Sequence, residues 1–316
     1  MATDRRAMRL LQKFGTLGAL VVLAAAFAIA SPGAFGTLSN LINVTQQMAL
    51  LTIVAVGATF VMAVGEFDLS VAANISLSSI MVLMLLLADW PLAGALPATL
   101  AATGVAGIVA GVLVARFAVP SFIATLALGT VVEGVTFWLS GGATLFGSLP
   151  HGFRVIGNGS LLGLPVLTLW MLAAVLFGYV FLDHLEIGRR FYAIGGSREA
   201  ARLGGVPVRR DTIMAFMLSG LLAGVVGVLL AARLGSATPT GGGGFLLQAY
   251  AAVFLGMTAF REGEPNVPGT VVGTAIIALL ANGLTILDVP NFVQDMLTGG
   301  IIIAAVLLRG VGRRRD

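Results

Sequence analysis

A few charged side chains interrupt the long apolar segments of this chain. One interruption is the stretch 65–71, Gly-Glu-Phe-Asp-Leu-Ser-Val, while Glu133 lies well inside a later apolar segment and Asp295 lies in the last one. Inserting a charged side chain at the centre of a membrane costs about 2.5–3.5 kcal/mol on insertion scales, so such a carboxylate faces a water-filled cavity or is protonated. We predict that these carboxylates mark a pathway for a solute or for protons.

Neutral polar side chains occur in the same apolar segments. The complete set of predicted pathway residues is Asp68, Ser70, Gln47, Asn74, Thr125, Glu133, Gln248, Tyr250, Asn282 and Asp295. Amides, hydroxyls and an aromatic ring suit an uncharged, polyhydroxylated solute better than an ion. Two alternatives stay open: any one of these residues bonds a neighbouring helix instead, and Asp68 or Ser70 caps the helix that follows it.

Residue types needed for enzymatic chemistry are scarce. The chain contains one lysine, Lys13, so it cannot contain a phosphate-binding Gly-x-x-x-x-Gly-Lys-Ser/Thr loop. It contains no cysteine, and its two histidines, His151 and His184, fall on opposite sides of the membrane in the topology given below. We therefore predict a protein that is not an enzyme, with no catalytic residue, no cofactor and no metal site.

The elements that carry these residues are membrane spans. Hydrophobic residues make up 58% of the 316 residues and charged residues 10%, with a mean hydropathy of +1.02. A soluble core could not hide this much apolar surface, so we predict an all-α polytopic membrane protein. Because about 20 residues span a bilayer, ten runs are candidate spans: Phe14–Ala30, Leu41–Val64, Val71–Ala88, Leu92–Ala115, Phe122–Leu139, Leu161–Leu182, Thr212–Ala232, Leu246–Phe260, Val267–Leu287 and Phe292–Leu308. The first and eighth are short, which indicates tilted, broken or re-entrant segments.

Arginine positions orient these ten spans. Basic residues cluster at both ends of the chain, and an even number of spans places both termini on one side. The positive-inside rule makes that side the cytoplasm and leaves only Arg154 and Arg233, of 18 basic residues, outside. The basic N-terminus also fits a cleaved signal peptide, an alternative that would leave the later spans in the same orientation.

A basic loop separates two apolar runs near the middle of the chain. Six arginines fall within residues 188–210, so the loop is expected inside, where a cytoplasmic partner can dock. Ser197 is a suitable N-cap for a short helix, and Gly204-Gly205 would end it. We treat 1–316 as a single transmembrane domain and 183–211 as a cytoplasmic loop within it. The net charge of +4 reflects such inside-facing arginines, so we expect anionic lipid of the bilayer, and no nucleic acid, as the charge partner.

Short internal similarities suggest a repeat. Val119-Pro120-Ser121-Phe122 opens the fifth span and Val289-Pro290-Asn291-Phe292 opens the tenth. If spans 2–5 correspond to spans 7–10, the two halves have opposite orientations, as in inverted-repeat transporters. Ordinary capping by a proline at a helix start is the alternative. Two motifs of small residues, Gly107-x-x-x-Gly111 and Gly220-x-x-x-Gly224, favour close helix packing within the chain over a dimer seam.

Several segments together resemble the monosaccharide ABC permease family, the membrane subunits of ribose- and xylose-type importers. The segments that carry this resemblance are Gly65-x-x-Asp68-Leu69-Ser70-Val71, Val119-Pro120-x-Phe122-Ile123-Ala124-Thr125-Leu126, Gly188-Arg189-x-Phe191-Tyr192-Ala193-Ile194-Gly195-Gly196, Glu199-Ala200-Ala201-Arg202-Leu203-x-Gly205, Leu218-Ser219-Gly220-Leu221-Leu222-Ala223-Gly224, Ala232-Arg233-Leu234-Gly235-Ser236-Ala237-x-Pro239 and Asn282-Gly283-Leu284. Together they extend over nearly the whole chain.

The resemblance implies a bacterial inner-membrane permease that imports a monosaccharide. Its implied partners are a second copy of the chain, a cytoplasmic ABC ATPase and a sugar-binding protein outside. The coupling loop of such permeases carries Glu-Ala-Ala, three residues and Gly, so the resemblance assigns ATPase coupling to Glu199, Ala200, Ala201, Arg202 and Gly205. The chain departs from the family pattern at Gly65-Glu66, where Gly-Gly is usual, and at Gln248, where an acidic residue is usual.

Other functions compete with this interpretation. A related ABC permease would carry branched-chain amino acids or nucleosides, whereas an ion-coupled secondary transporter would use Glu133 and Asp295 as proton sites. A secondary transporter works alone in an ion gradient, while an ABC permease needs its ATPase and ATP. A purely structural membrane scaffold fits poorly with so many polar groups at membrane depth.

Overall fold

The computed structural model describes residues 2–261, 263–290, 292–294, 296–297 and 299–300 of the chain. These residues form an all-α protein, as predicted. The helices are α1 (Ala2–Ala30), α2 (Leu38–Ala63), α3 (Val71–Leu87), α4 (Leu92–Ala115), α5 (Ser121–Ser140), α6 (His151–Asn158), α7 (Val166–Tyr179, continued by a π turn over Val180–His184), α8 (Glu186–Gly196), α9 (Arg198–Leu203), α10 (Val208–Leu234), α11 (Phe245–Gly256) and α12 (Val267–Ile286). Four two-residue strands are β1 (Leu145–Phe146), β2 (Ser160–Leu161), β3 (Leu164–Pro165) and β4 (Ser236–Ala237).

The structure does not confirm the predicted number of ten membrane spans. Six helices among the described residues are long and apolar enough to cross a membrane, namely α2, α4, α5, α7 with its π turn, α10 and α12. Shorter apolar helices cover Thr16–Ala30, Val71–Leu87 and Phe245–Gly256. At 1.5 Å per residue, the 12 residues of α11 extend about 18 Å, short of a hydrocarbon core of about 30 Å. The predicted count of ten is therefore not confirmed, and most of the tenth span lies outside the described residues.

Helix α2 is the central element of the bundle. In its most apolar 18-residue window, 89% of the residues are buried inside the protein. Hydroxyl groups join it to α12, since the Oγ1 atoms of Thr52 and Thr274 and those of Thr59 and Thr270 are each 2.9 Å apart. Hydrogen bonds between helices are directional, whereas apolar packing is not. They therefore fix the register of α12 along α2.

Helices α4 and α10 pack through their glycines. A Cβ atom added at Gly107 would lie 2.4 Å from the carbonyl oxygen of Phe216, and one at Gly111 would lie 2.7 Å from a backbone atom of α10. On α10, Gly220 and Gly224 leave no room for a Cβ against α4. The two Gly-x-x-x-Gly motifs therefore face each other within one chain, which confirms the intramolecular interpretation.

The bundle has two distinct ends. Helix α10 starts just after α9 and runs for 27 residues to the strand β4, a length of about 40 Å. At its far end β4 pairs antiparallel with β1, and Gly157 of α6 packs against the backbone of Arg233. We call this the β end, and the other the α8–α9 end.

The glycine contact predicts an asymmetric response to alanine. Gly107→Ala should lower the melting temperature of the detergent-solubilised protein by several degrees, because the new methyl group forces α4 away from α10. Gly134→Ala is the matched control, since nothing lies within 4 Å of a Cβ at Gly134 and alanine favours a helix over glycine. Equal melting temperatures for the two variants would contradict this packing.

Candidate functional site: a polar clasp and the α8–α9 unit

The backbone leaves helical geometry between α2 and α3. Helix α2 ends at Ala63, Gly65 adopts a left-handed φ of +80°, and α3 begins only at Val71. We call residues 65–70 the α2–α3 segment. Asp68, within it, has no exposed surface at all. Buried backbone groups outside a helix need other hydrogen-bond partners, so the segment depends on side chains from neighbouring helices.

Helix α5 supplies two of these partners. The amide of Phe67 donates to Ser121 Oγ at 3.3 Å, and the amide of Leu69 donates to Thr125 Oγ1 at 2.9 Å. The hydroxyl of Thr125 donates in turn to the carbonyl of Ser121, at 2.7 Å, one helical turn earlier. This bond aims the oxygen lone pairs of Thr125 at the segment.

Tyr250 of α11 supplies the third partner. Its hydroxyl oxygen lies 2.6 Å from the amide nitrogen of Asp68, from which it accepts, and 3.1 Å from the carbonyl oxygen of the same residue, to which it donates. The ring of Phe67 lies 5.6 Å from the Tyr250 ring. Because Tyr250 lies six residues before the end of α11, the contact lies about 9 Å inside that end. The segment thus dips into the bundle.

The carboxylate of Asp68 is held by donors from two directions. It accepts from the amide of Ser70 at 3.0 Å and from its hydroxyl at 2.6 Å, and the Ser219 hydroxyl of α10 donates to it at 2.8 Å. The Asn74 amide donates to Ser70 Oγ at 3.2 Å. Ser70 is the N-cap of α3 but makes no side-chain capping bond. The Asp68 carboxylate instead fixes the backbone just before α3 by accepting from the amide and the hydroxyl of Ser70. The positive end of α3 favours a carboxylate there.

Five residues that the sequence marked as pathway candidates therefore meet in one network. They are Asp68, Ser70, Asn74, Thr125 and Tyr250, joined by Ser121 and Ser219, and none is more than 7% exposed. We call this network the polar clasp. Most of its hydrogen-bonding capacity is used within the chain, so its evident role is to hold the α2–α3 segment in place.

Removing one clasp hydroxyl should destabilise the protein. Thr125→Val leaves the amide of Leu69 without its acceptor, at an expected cost of about 1–3 kcal/mol in the free energy of unfolding. Thr130→Val, on the same helix, is the matched control because the Thr130 hydroxyl is exposed and bonds only its own helix among the described residues. Denaturant unfolding in micelles measures the difference, and equal stabilities would argue against the clasp.

The other pathway candidates lie elsewhere. Asn282 of α12 is buried and exchanges two 3.0 Å hydrogen bonds with Asn40 of α2. Gln47 and Glu133 are exposed on α2 and α5, and Gln248 is half-buried. Asp295 lies outside the described residues. Within the part of the chain that the structure describes, no three His, Asp or Glu side chains are grouped so that they could hold a metal ion.

The candidate coupling residues form a compact unit at one end of the bundle. Ser197 is the N-cap of α9, where its Oγ accepts from the amide of Ala200 at 3.2 Å, as the sequence predicted. Helix α9 ends before Gly204, and Gly205 turns the chain with a φ of +80°. Ala201 is buried, whereas the other candidates are exposed: Glu199, Ala200, Arg202 and Gly205. Ala201 therefore anchors a helix on which Glu199, Ala200 and Arg202 stay exposed.

The α8–α9 unit contacts the α2–α3 segment directly. A Cβ at Gly195 would lie 2.3 Å from the carbonyl oxygen of Ala63, so the end of α8 packs backbone to backbone on the end of α2. Next to this contact, Arg198 of α9 forms an ion pair with Glu66.

A second contact joins the unit to the loop between α11 and α12. The Tyr192 hydroxyl donates to the carbonyl of Pro265 at 2.9 Å. Burial raises the pKa of Tyr192 to about 12, so the hydroxyl remains a neutral donor at physiological pH. Arg261 pairs with Asp183 and lies 5.4 Å from the centre of the Tyr192 ring. A cavity of about 310 Å³ lies between this loop, α8 and the α2–α3 segment.

Comparisons with known proteins identify the family of this chain. Residues 40–306 match the family described as the branched-chain amino acid transport system / permease component. The chain belongs to this permease family. It is 38% identical over 299 residues to the ribose import permease protein RbsC of Bacillus subtilis (strain 168), covering 94% of this chain and 92% of that protein.

Two further relatives cover the permease to a similar extent. The D-allose transport system permease protein AlsC of Escherichia coli (strain K12) is 33% identical over 297 residues, 94% of this chain and 91% of that protein. The L-arabinose ABC transporter permease protein AraH of Azospirillum brasilense is 34% identical over 301 residues, 95% of this chain and 88% of that protein. The resemblance to monosaccharide ABC permeases is therefore confirmed.

Two clasp residues of the permease were not among the predicted sites. Ser121 and Ser219 both lie inside segments that carried the family resemblance, Val119-Pro120-x-Phe122 and Leu218-Ser219-Gly220. A serine hydroxyl in a helix often bonds its own backbone, so neither residue stood out. The one sign in the sequence that Ser121 and Ser219 matter was that both lie in segments that carry the family resemblance.

Proposed function

We propose that this permease is the membrane-spanning subunit of an ABC importer that carries a monosaccharide, a pentose or hexose. The observation that carries the proposal is similarity over more than nine-tenths of the chain to permeases named for ribose, D-allose and L-arabinose. The family description names branched-chain amino acids, but these three relatives, which match over this length, are named for sugars. The amides of Gln47 and Gln248, which the clasp does not use, suit an uncharged solute.

The proposed orientation places the α8–α9 end in the cytoplasm of a bacterium. The arginines near that end then follow the positive-inside rule, and both termini of the inner-membrane protein are cytoplasmic. The chain acts as one transmembrane domain with residues 183–211 as its coupling loop. The β end faces outwards, where a sugar-binding protein delivers the solute.

The cytoplasmic ABC ATPase docks on α9. Leu203 is 80% exposed beside the charged side chains of Glu199 and Arg202, which is the mixed surface that a protein partner covers. Gly205 has open space where a Cβ would stand, so the turn after α9 leaves room for a partner's surface. ATP is hydrolysed on that partner, and this chain performs no chemistry.

A second copy of the chain covers the outer face of α5. This face carries Phe122 and Leu126, both more than half exposed, together with Glu133. Glu133 exposed to lipid would be costly, and a second copy that encloses a wet passage removes that cost. Glu133, Gln47 and Gln248 are then the described candidates for contact with the solute, and Asp295 stays a prediction of the same kind. Asn282, which is buried and paired with Asn40, joins α12 to α2 instead.

Reconstitution tests the function. Proteoliposomes that contain the permease with its ATPase and binding protein should accumulate radiolabelled ribose or another monosaccharide only when ATP is supplied, because the bundle contains no energy source of its own. The control is the permease alone in a proton gradient, which should give no uptake. Uptake of leucine but no sugar, or uptake in the proton gradient without ATP, would contradict the proposal.

A further inference from the structure

One ion pair connects the exposed helix α9 to the buried backbone of the bundle. It joins Arg198, whose side chain is 44% exposed, to Glu66, whose side chain is 14% exposed. The structure describes two other ion pairs. Arg190 and Glu186 both lie in α8. Arg261, in the loop after α11, pairs with Asp183 in the π turn that precedes α8. Among the described residues, the Glu66–Arg198 pair is therefore the one that reaches α9.

Stability alone does not account for this pair. An ion pair with one partner nearly half exposed contributes only about 0–1 kcal/mol to folding, because water and salt screen it. What it does provide is a fixed distance between one point on α9 and one point on the α2–α3 segment.

Only a short stretch of backbone separates Glu66 from the polar clasp. Glu66 is two residues from Asp68, which is at most about 7 Å of extended chain. Asp68 is held on its amide by Tyr250 and on its carboxylate by Ser219. A displacement of Glu66 therefore reaches the clasp before the backbone can absorb it.

The neighbouring contact acts in the opposite direction. The end of α8 at Gly195 already touches the backbone of Ala63, so the α8–α9 unit cannot move closer to α2 without pushing it. The ion pair resists movement away from α2. Contact and ion pair together transmit both a push and a pull.

We propose that Glu66, acting through Arg198, is a coupling residue that transmits displacement of α9 to the polar clasp. The proposal rests on the proposed function, because it assigns Glu66 to the step that links ATP hydrolysis to passage of the solute. Glu66 is a positioning residue and touches no solute.

The test is the number of ribose molecules imported per ATP hydrolysed in proteoliposomes with the ATPase and binding protein. Glu66→Gln and Arg198→Gln should each lower this ratio several-fold while leaving the melting temperature close to that of the wild type. The charge swap Glu66→Arg with Arg198→Glu should restore most of the ratio. Glu186→Gln is the matched control, because it breaks an ion pair within a single helix.

A covalent link between positions 66 and 198 gives a second test. The sequence contains no cysteine, so Glu66→Cys with Arg198→Cys introduces the only two thiols. The reduced double variant should be uncoupled, and joining the two thiols with a short bifunctional reagent should raise the ratio again.

The outcomes separate this inference from the function itself. Single variants with the wild-type ratio would overturn the role of Glu66, as would a loss that neither the charge swap nor the thiol reagent repairs. A wild-type complex that imports no sugar with ATP would instead overturn the proposed function.

Discussion

The structure depends on one constraint: backbone amides that lie outside a helix within an apolar bundle must find hydrogen-bond acceptors. Phe67, Asp68 and Leu69 lie outside any helix around the fully buried Asp68, so their amides need acceptors from side chains. Side chains of α5 and α11 provide them, through Ser121, Thr125 and Tyr250. The Ser219 hydroxyl of α10 donates to the Asp68 carboxylate. Three helices distant in sequence are thereby joined at one short stretch of chain, and a shift in any of them changes the hydrogen bonds of the others.

The rest of the structure consists of a helical frame and the α8–α9 unit packed at one end of it. Helices α4 and α10 meet at their glycines, and α2 and α12 are joined by threonine pairs, so these helices have little freedom to slide. The α8–α9 unit packs on this frame through Phe191, Ile194 and Ala201, which join a buried apolar cluster with α2, the π turn and α10. It also bonds the loop between α11 and α12 through Tyr192, and its contact with Ala63 lies a few residues from the clasp. Such an arrangement suits a subunit that converts a partner's motion into a change in the membrane.

The sequence singled out five of the seven clasp residues, but as candidates for a solute pathway and not as one network. Asp68 and Tyr250 stood out because polar groups are rare and costly at membrane depth, and the structure brings them together. Asn282 stood out for the same reason, yet its partner Asn40 is 242 residues away in the chain, and a single sequence contains no sign of such a pairing. The span count is not confirmed where helices are short, as in α11, because hydropathy measures apolar length and does not show where the helix starts.

Amide hydrogen exchange of the α2–α3 segment tests the central claim most directly. In the protein embedded in lipid nanodiscs, the amides of Phe67, Asp68 and Leu69 should exchange as slowly as those of the adjoining helices, although they lie outside any helix. Tyr250→Phe should speed exchange at Asp68 most, because that amide loses its acceptor. Exchange at the rate of an unprotected peptide in the unmodified protein would contradict the polar clasp and the coupling route built on it.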